Sequence, residues 1–195
     1  TGDEEWTHQD EIRFEEALAG AGPRATPTFA NGHIHTFGAK GTLNCLDAKS
    51  GAVIWAHDCM ADAEVTNAEM PTWGYSVSPL VVDGRVIVFA GGTKGKSVLA
   101  YNADDGKLAW STAAGKQSYS SAQLATLQGQ RQVLMHDTHS LMGLNIADGA
   151  LLWSAPNPTE LAMPMLQPHV GPSDSVIYNM EPGVTRLNVT REGEK

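Results

Sequence analysis

Cysteine is nearly missing from this chain. Cys45 and Cys59 are the only two in 195 residues, neither adjacent nor at a metal-like spacing, so no zinc site and no redox pair is read from them. If Leu43 to Asp47 and Val53 to Asp58 are the arms of one hairpin, Cys59 lies past the position opposite Cys45, beyond bridging distance, and both are expected as buried thiols. Positive charge is scarce as well: 13 Lys and Arg face 22 Asp and Glu, a formal charge of −9, which removes the electrostatic footprint of a nucleic-acid binder. No apolar run approaches the roughly eighteen residues that cross a bilayer, and the acidic opening Thr1 to Asp10 is unlike a signal peptide. Helical periodicity is thin. Only Asp10 to Ala19 has it, with Asp10 as a cap and Ile12, Phe14 and Leu18 as apolar points, and a connecting turn of helix is expected there.

Turn-forming residues are what the chain has in quantity. Its 20 glycines and 10 prolines sit in a background that is 42% hydrophobic, a balance that suits an all-β protein with a real core. Negative charge is concentrated: seven acidic residues against Arg13 place a net −6 in the first sixteen positions, most simply a solvated face.

An internal repeat organises the rest. Leu46-Asp47-Ala48-Lys49-Ser50-Gly51-Ala52-Val53-Ile54-Trp55 recurs as Tyr101-Asn102-Ala103-Asp104-Asp105-Gly106-Lys107-Leu108-Ala109-Trp110 and as Leu144-Asn145-Ile146-Ala147-Asp148-Gly149-Ala150-Leu151-Leu152-Trp153. Thr1-Gly2-Asp3-Glu4-Glu5-Trp6 is a truncated copy. Successive glycines stand 49, 55 and 43 residues apart, the spacing of one four-stranded blade per repeat. Asp or Asn before the turn bonds nearby amides, and glycine supplies a positive φ. Trp6, Trp55, Trp110 and Trp153, each four residues after its glycine, are expected to pack between neighbouring blades with the indole N–H finding a partner.

Upstream of each motif a Pro or Ser cluster, a strand, a turn and a second strand recur, giving four units at about 24–58, 76–112, 119–155 and 165–195, with a further strand over 3–9. The turns Asn31-Gly32, Asp83-Gly84 and Gly129 separate the first two strands of units one to three.

At these motifs the sequence resembles the PQQ-like β-propeller repeat family, whose blade signature is Asp-x-x-Thr-Gly-x-x-x-Trp. Asn replaces Asp at Asn102 and Asn145, and Thr survives only at Thr1. The resemblance implies a propeller of four-stranded antiparallel blades, with about three complete blades and parts of a fourth in one domain, 1–195. A chain that opens inside one motif and stops one strand short of the next reads as an excerpt of a larger propeller. Pairing of Glu5 to His8 with Thr185 to Val189 in a small closed ring, and two chains sharing one ring, are the rivals.

The segments Gly22 to Thr28 and Trp73 to Leu80 look like blade openings in the non-enzymatic bacterial branch, to which outer-membrane barrel-assembly propellers belong. That branch implies a periplasmic or cell-surface scaffold with an envelope protein or a small anionic or carbohydrate ligand as partner. No cofactor is expected on this reading. Quinoprotein dehydrogenases share the fold, and the alternative is an oxidoreductase fragment using PQQ and calcium; a ligand-sensing propeller of a larger signalling protein is a second alternative. The quinone sandwich of that enzyme class needs an adjacent Cys-Cys pair, which this chain lacks. No catalytic residue and no metal ligand is assigned: His33 and His35 share a strand face but offer two ligands with no third. Asp137 with His139 lacks a nucleophile elbow, so no hydrolase is read from it. Residues just before each innermost strand are the candidate ligand positions: Arg24 and Thr26, then Trp73, Tyr75, Ser76 and Ser78, then Tyr119, Ser120 and Ser121, then Gln167 and His169.

Overall fold

The computed structural model describes residues 2–18, 20–157, 167–180 and 183–191. Met165 and Leu166, assigned above to the start of the fourth unit, and Thr1 of the truncated motif lie outside them. A two-residue hairpin, β1 (Glu15–Glu16) and β2 (Gly20–Ala21), precedes four sheets. Blade 1 is β3 (Thr28–Ala30), β4 (His33–Phe37), β5 (Thr42–Asp47) and β6 (Val53–Asp58); the helix α1 (Cys59–Asp62) follows it. Blade 2 is β7 (Leu80–Val82), β8 (Arg85–Phe89), β9 (Val98–Asn102) and β10 (Leu108–Thr112). Blade 3 is β11 (Gln123–Leu127), β12 (Gln130–His136), β13 (Ser140–Leu144) and β14 (Leu151–Pro156). Blade 4 is β15 (His169–Gly171), β16 (Ser175–Met180) and β17 (Gly183–Asn188).

Each blade is an antiparallel meander in chain order, its first two strands joined by two-residue turns in blades 1 to 3 and by the three residues Pro172 to Asp174 in blade 4. Both central turn residues have positive φ in Asn31-Gly32 (51° and 79°) and Asp83-Gly84 (46° and 71°), the backbone twist that a right-handed hairpin needs. Central strands are buried on both faces: Val98, Leu99, Ala100 and Tyr101 of β9 are all 0% exposed, as a strand sandwiched between two blades must be. The core runs continuously through blades 1 to 3, with a second cluster of Ala125, Leu127, Leu134, Leu141, Val176 and Tyr178 between blades 3 and 4.

The outermost strand of blades 1 to 3 carries a bulge at one fixed place. Pairing jumps from Leu46↔Val53 to Cys45↔Trp55, from Tyr101↔Leu108 to Ala100↔Trp110, and from Leu144↔Leu151 to Gly143↔Trp153. One extra residue turns the tryptophan to the blade face opposite its strand neighbour. Trp55 thereby lies on Gly106 of blade 2 and donates its indole N–H to the Ala103 carbonyl at 2.9 Å; Trp110 lies on Gly149 of blade 3 and donates to the Ile146 carbonyl at 3.0 Å. Trp6 does the same to blade 1, over Gly51 and onto the Ala48 carbonyl at 3.2 Å. These glycines are required twice over. At Gly106 φ is +70°, and a Cβ there would stand 2.8 Å from the Trp55 ring.

The fourth step is built differently. Val189 N–H bonds the Asp174 carbonyl, as Ala48 and Ala103 bond Gly32 and Gly84, so Asn188 occupies the place of Asp47 and Asn102. The Val189 carbonyl accepts from the Gln128 amide at 3.2 Å, and the Trp153 indole N–H turns back to Gln132 Oε1 of its own blade at 2.6 Å.

Two expectations are corrected. Asp10 to Ala19 forms no helix over its described residues: Ile12 and Leu18 are 52% and 81% exposed, so the apolar points have nothing to pack on, and the chain turns back as β1–β2. Residues 3–9 carry no ladder among the described residues, since their anchorage is by side chains: Trp6, and Asp10 just beyond, whose carboxylate accepts from Asn44 Nδ2 at 3.0 Å. The one helix among the described residues, α1, is capped by Asp58, whose carboxylate accepts from the Met60 and Ala61 amides. Cys45 and Cys59 are free and buried, as expected.

Candidate functional site

The chain arrives at each innermost strand through an opening segment, and successive openings are tied together. Thr26 N–H donates to Ser78 Oγ at 3.0 Å, and Ser78 N–H donates to Ser121 Oγ at 2.8 Å. Thr28 Oγ1 adds a bond to the Pro79 carbonyl at 2.6 Å. The hydroxyls of the second and third openings therefore serve the backbone of the blade before, satisfying amides that have no ladder partner. Thr26, Ser78 and Ser121 are brought into one relay. Gln167 and His169 of the fourth opening are exposed, and His169 pairs with Ile177 in β15–β16.

Trp73 and Tyr119 meet across two openings. Their rings are 5.6 Å apart at 37°, both half-buried, and Trp73 N–H donates to the Tyr119 hydroxyl at 3.3 Å. Burial pushes the Tyr119 hydroxyl pKa up, so it stays a neutral donor and acceptor at physiological pH. Ser76 is half-buried on the same segment. A cavity of about 150 Å³, lined among others by Glu64, Glu69, Thr93 and Lys116, includes neither ring in its walls.

Other candidate positions do different work. Tyr75 is fully buried, its ring tilted 49° against Phe37 at 5.3 Å and its hydroxyl donating to the Ala90 carbonyl at 2.8 Å, which makes it a core residue between blades 1 and 2. Arg24 is spoken for: Nη2 bonds Glu16 at 3.0 Å and the Gly20 carbonyl at 2.9 Å, Nη1 bonds the Gly22 carbonyl, and the guanidinium covers Phe14. It pins the β1–β2 hairpin. Ser120 is buried, its N–H bonded to Ser118 Oγ, which itself donates to the His136 carbonyl at 2.6 Å.

Two polar clusters were not anticipated as such. Asp137 is fully buried and accepts three amide N–H groups, from Gly115, His139 and Ser140, at 2.7–3.0 Å, which ties the blade 2–3 connection to the β12–β13 turn. Its carboxylate is consumed by backbone. Between blades 1 and 2, Asp62 accepts from the Tyr101 hydroxyl at 2.8 Å and faces His57 Nδ1 at 3.1 Å, with Cys59 Sγ 3.4 Å from the same hydroxyl. Burial pushes the Cys59 thiol up to about 12, so it is no nucleophile at neutral pH. The sequence signal for this cluster was the Trp55-Ala56-His57 strand ending directly on Asp58 and Cys59.

A quinone and calcium would require a converging donor set. Among the described residues no three His, Cys, Asp or Glu side chains are placed to hold a metal ion, and the repeat tryptophans lie against glycines, Trp55 and Trp110 buried there. These residues do not fit that group.

Residues 1–163 match the family model described as outer membrane protein assembly factor BamB. Among solved structures, BamB from Moraxella catarrhalis is similar with a TM-score of 0.61 at 19% identity, over 88% of this chain and 46% of that one. The computationally designed Ika4 protein is similar at 0.59 and 15%, over 94% of this chain and 100% of that one. Quinohemoprotein alcohol dehydrogenase from Comamonas testosteroni follows at 0.51 and 19%, over 70% and 21%. At such identities the likeness is one of fold. This chain spans less than half the length of the BamB structure. No curated protein matches its sequence.

Proposed function

Since this chain belongs to the outer membrane protein assembly factor BamB family, we propose that it is a non-enzymatic binding module of the bacterial envelope that holds a protein partner at the blade openings. The observation that carries this reading is the Trp73–Tyr119 pair, two half-exposed rings fixed to each other by a backbone bond. Rigid aromatics present a large contact area at little entropic cost, and they dominate binding hot spots. A protein strand suits this surface better than a small anion, because Arg24 is already bonded to a carboxylate and two carbonyls. The net charge of −9 favours a neutral or basic partner. No helix among the described residues is long and apolar enough to cross a membrane.

The test uses a urea-unfolded outer-membrane barrel polypeptide, diluted into buffer, as the probe. Trp73→Ala with Tyr119→Ala is expected to weaken binding about tenfold or more while the cooperative melt is kept. Unchanged affinity in the double variant, or no binding by the unaltered chain, overturns the proposal.

A further inference from the structure

A second cleft opens on the face of the fold opposite the blade openings. Each blade is a meander, so its first and third turns emerge on that face, and Asp83-Gly84 of blade 2 comes beside Asn145 to Ala147 of blade 3. A cavity of about 270 Å³ lies between these two four-stranded sheets, lined by Asp83, Arg85, Arg131, Asn145, Ile146 and Ala147. Its walls hold two guanidinium groups against one carboxylate, a positive spot on a chain of net charge −9. The carboxylate is already engaged: Arg131 Nη1 donates to Asp83 Oδ1 at 2.8 Å and to Oδ2 at 2.6 Å. Arg85 is left over. Its Nη1 bonds the Gly84 carbonyl at 3.3 Å, its Nε is buried without an acceptor, and among the described residues it forms no ion pair. A buried cationic N–H with no acceptor is a cost that native structures rarely carry.

Asn145 adds a further donor. Its Oδ1 accepts the Ala147 N–H at 2.9 Å, and its Nδ2 has no partner among the described residues. Blade 1 has Asp47 at that place, so the repeat here presents an amide N–H instead of a carboxylate oxygen. Arg131 is an addition to the repeat as well. Ile34, Val86 and Val133 are the equivalent residues paired with Leu46, Tyr101 and Leu144, and the turn glycine stands two residues before the first two but four before Val133. The β11–β12 hairpin is longer by that margin, and Arg131 lies in the extension that reaches Asp83 of blade 2. We propose that this cleft binds a small oxyanion, a phosphate or a carboxylate, with Arg85 as its principal ligand and Asn145 Nδ2 beside it. Arg131 spends a single nitrogen on Asp83, and its remaining N–H groups complete the donor set. Guanidinium forks match either oxyanion in geometry. The volume stands near the low end of small-molecule sites, roughly 300–1,000 Å³, which suits a small ligand and not a polypeptide. The site lies across the fold from Trp73 and Tyr119 and does not rest on the partner proposed above.

Titration calorimetry of this chain with inorganic phosphate, and separately with succinate, tests the idea at low and constant ionic strength. Saturable binding of at least one of the two is expected, and which one binds names the ligand class. Arg85→Gln is expected to raise the dissociation constant more than tenfold with unchanged circular dichroism, since Gln132 holds the equivalent place in blade 3. Asn145→Asp, the residue type that blade 1 carries, sets a carboxylate beside Arg85 and is expected to act in the same direction. The Arg85 Nε–Hε resonance, assigned by its loss in Arg85→Gln, is expected to shift with the same saturation. Lys94→Gln removes one positive charge from the face of the blade openings and is expected to leave the constant as it is. Trp73→Ala with Tyr119→Ala is likewise expected to leave it unchanged, which separates this site from the partner surface. No saturable binding of either anion, a constant indifferent to Arg85→Gln or Asn145→Asp, or one weakened as much by Lys94→Gln overturns the proposal.

Discussion

Replacing Gly106 with alanine would set the Trp55 contact against a backbone control within the same fold. Gly84 has nearly the same conformation, φ +71° against +70°, and nothing lies within 4 Å of the Cβ it would gain. Gly84→Ala therefore costs only the left-handed backbone, about 1–2 kcal/mol. Gly106→Ala adds a methyl 2.8 Å from the Trp55 ring. The ring must move, which costs about 1–3 kcal/mol of repacking. Its bond to the Ala103 carbonyl, worth about 1 kcal/mol, is strained or lost with it. The expected total is about 3–6 kcal/mol, a large share of a typical domain's stability. Urea unfolding followed by far-UV circular dichroism reads the difference as a fall in midpoint at constant slope. In a Trp55→Ala background the penalty at position 106 should shrink to that at Gly84, a coupling of about 2 kcal/mol or more. If Gly106→Ala costs no more than Gly84→Ala, the docking of each tryptophan on the next glycine does not hold the blades together.

Three further outcomes are expected. Cys45 and Cys59, fully buried with thiols pushed up to about 11 and 12, should resist a thiol reagent at pH 8 in the folded chain and react at once in denaturant; reaction at the rate of a free thiol would contradict that burial. His35 is buried and its pKa is lowered mainly by desolvation. The unfolded chain therefore binds the proton more readily, and stability falls as pH drops below about 6.5 until the depressed folded value is reached. His35→Leu should flatten that slope by up to about 1.4 kcal/mol per pH unit, and an identical slope would refute the assignment. Ser121→Ala removes the acceptor of the Ser78 amide and should cost about 1–3 kcal/mol in the same urea assay, whereas Ser76→Ala, with no such role, should be near neutral.

The strands were legible because turns and alternation agree: β4 and β8 begin directly after Asn31-Gly32 and Asp83-Gly84, β6 has the expected bounds Val53 to Asp58, and β5 starts one residue before the expected Leu43. What was not legible lies where backbone departs from alternation or where contacts are distant in sequence. Gly74, at φ +74°, separates Trp73 from Tyr75, so two aromatics one residue apart serve different purposes, one at the surface and one in the core. Arg24 was a candidate for its place before an innermost strand; its partner Glu16 lies in a stretch expected as helix, and the glycines at 20 and 22 were the signal against that helix. The bulge that aims each tryptophan is invisible to period-two counting, and only the recurrence of the motif hinted at it. The relay through Ser78 and Ser121 depends on contacts between residues 43 apart, which no local pattern encodes.

The tryptophan contacts give the chain a sense of direction. Three indoles reach forward, from residue 6 to 48, from 55 to 103 and from 110 to 146, while that of Trp153 stays within its own blade, and among the described residues none of these four bonds reaches back to the preceding blade. The natural cassette is therefore offset from the visible sheets: it runs from one tryptophan to the glycine of the following turn, Trp6 to Gly51, Trp55 to Gly106, Trp110 to Gly149. A graft or duplication whose seams fall in the three residues between glycine and tryptophan keeps each such pair intact, whereas one cut at the sheet boundaries parts an indole from its seat at both junctions. Chimaeras of such repeats should tolerate exchange at the first kind of seam and not at the second.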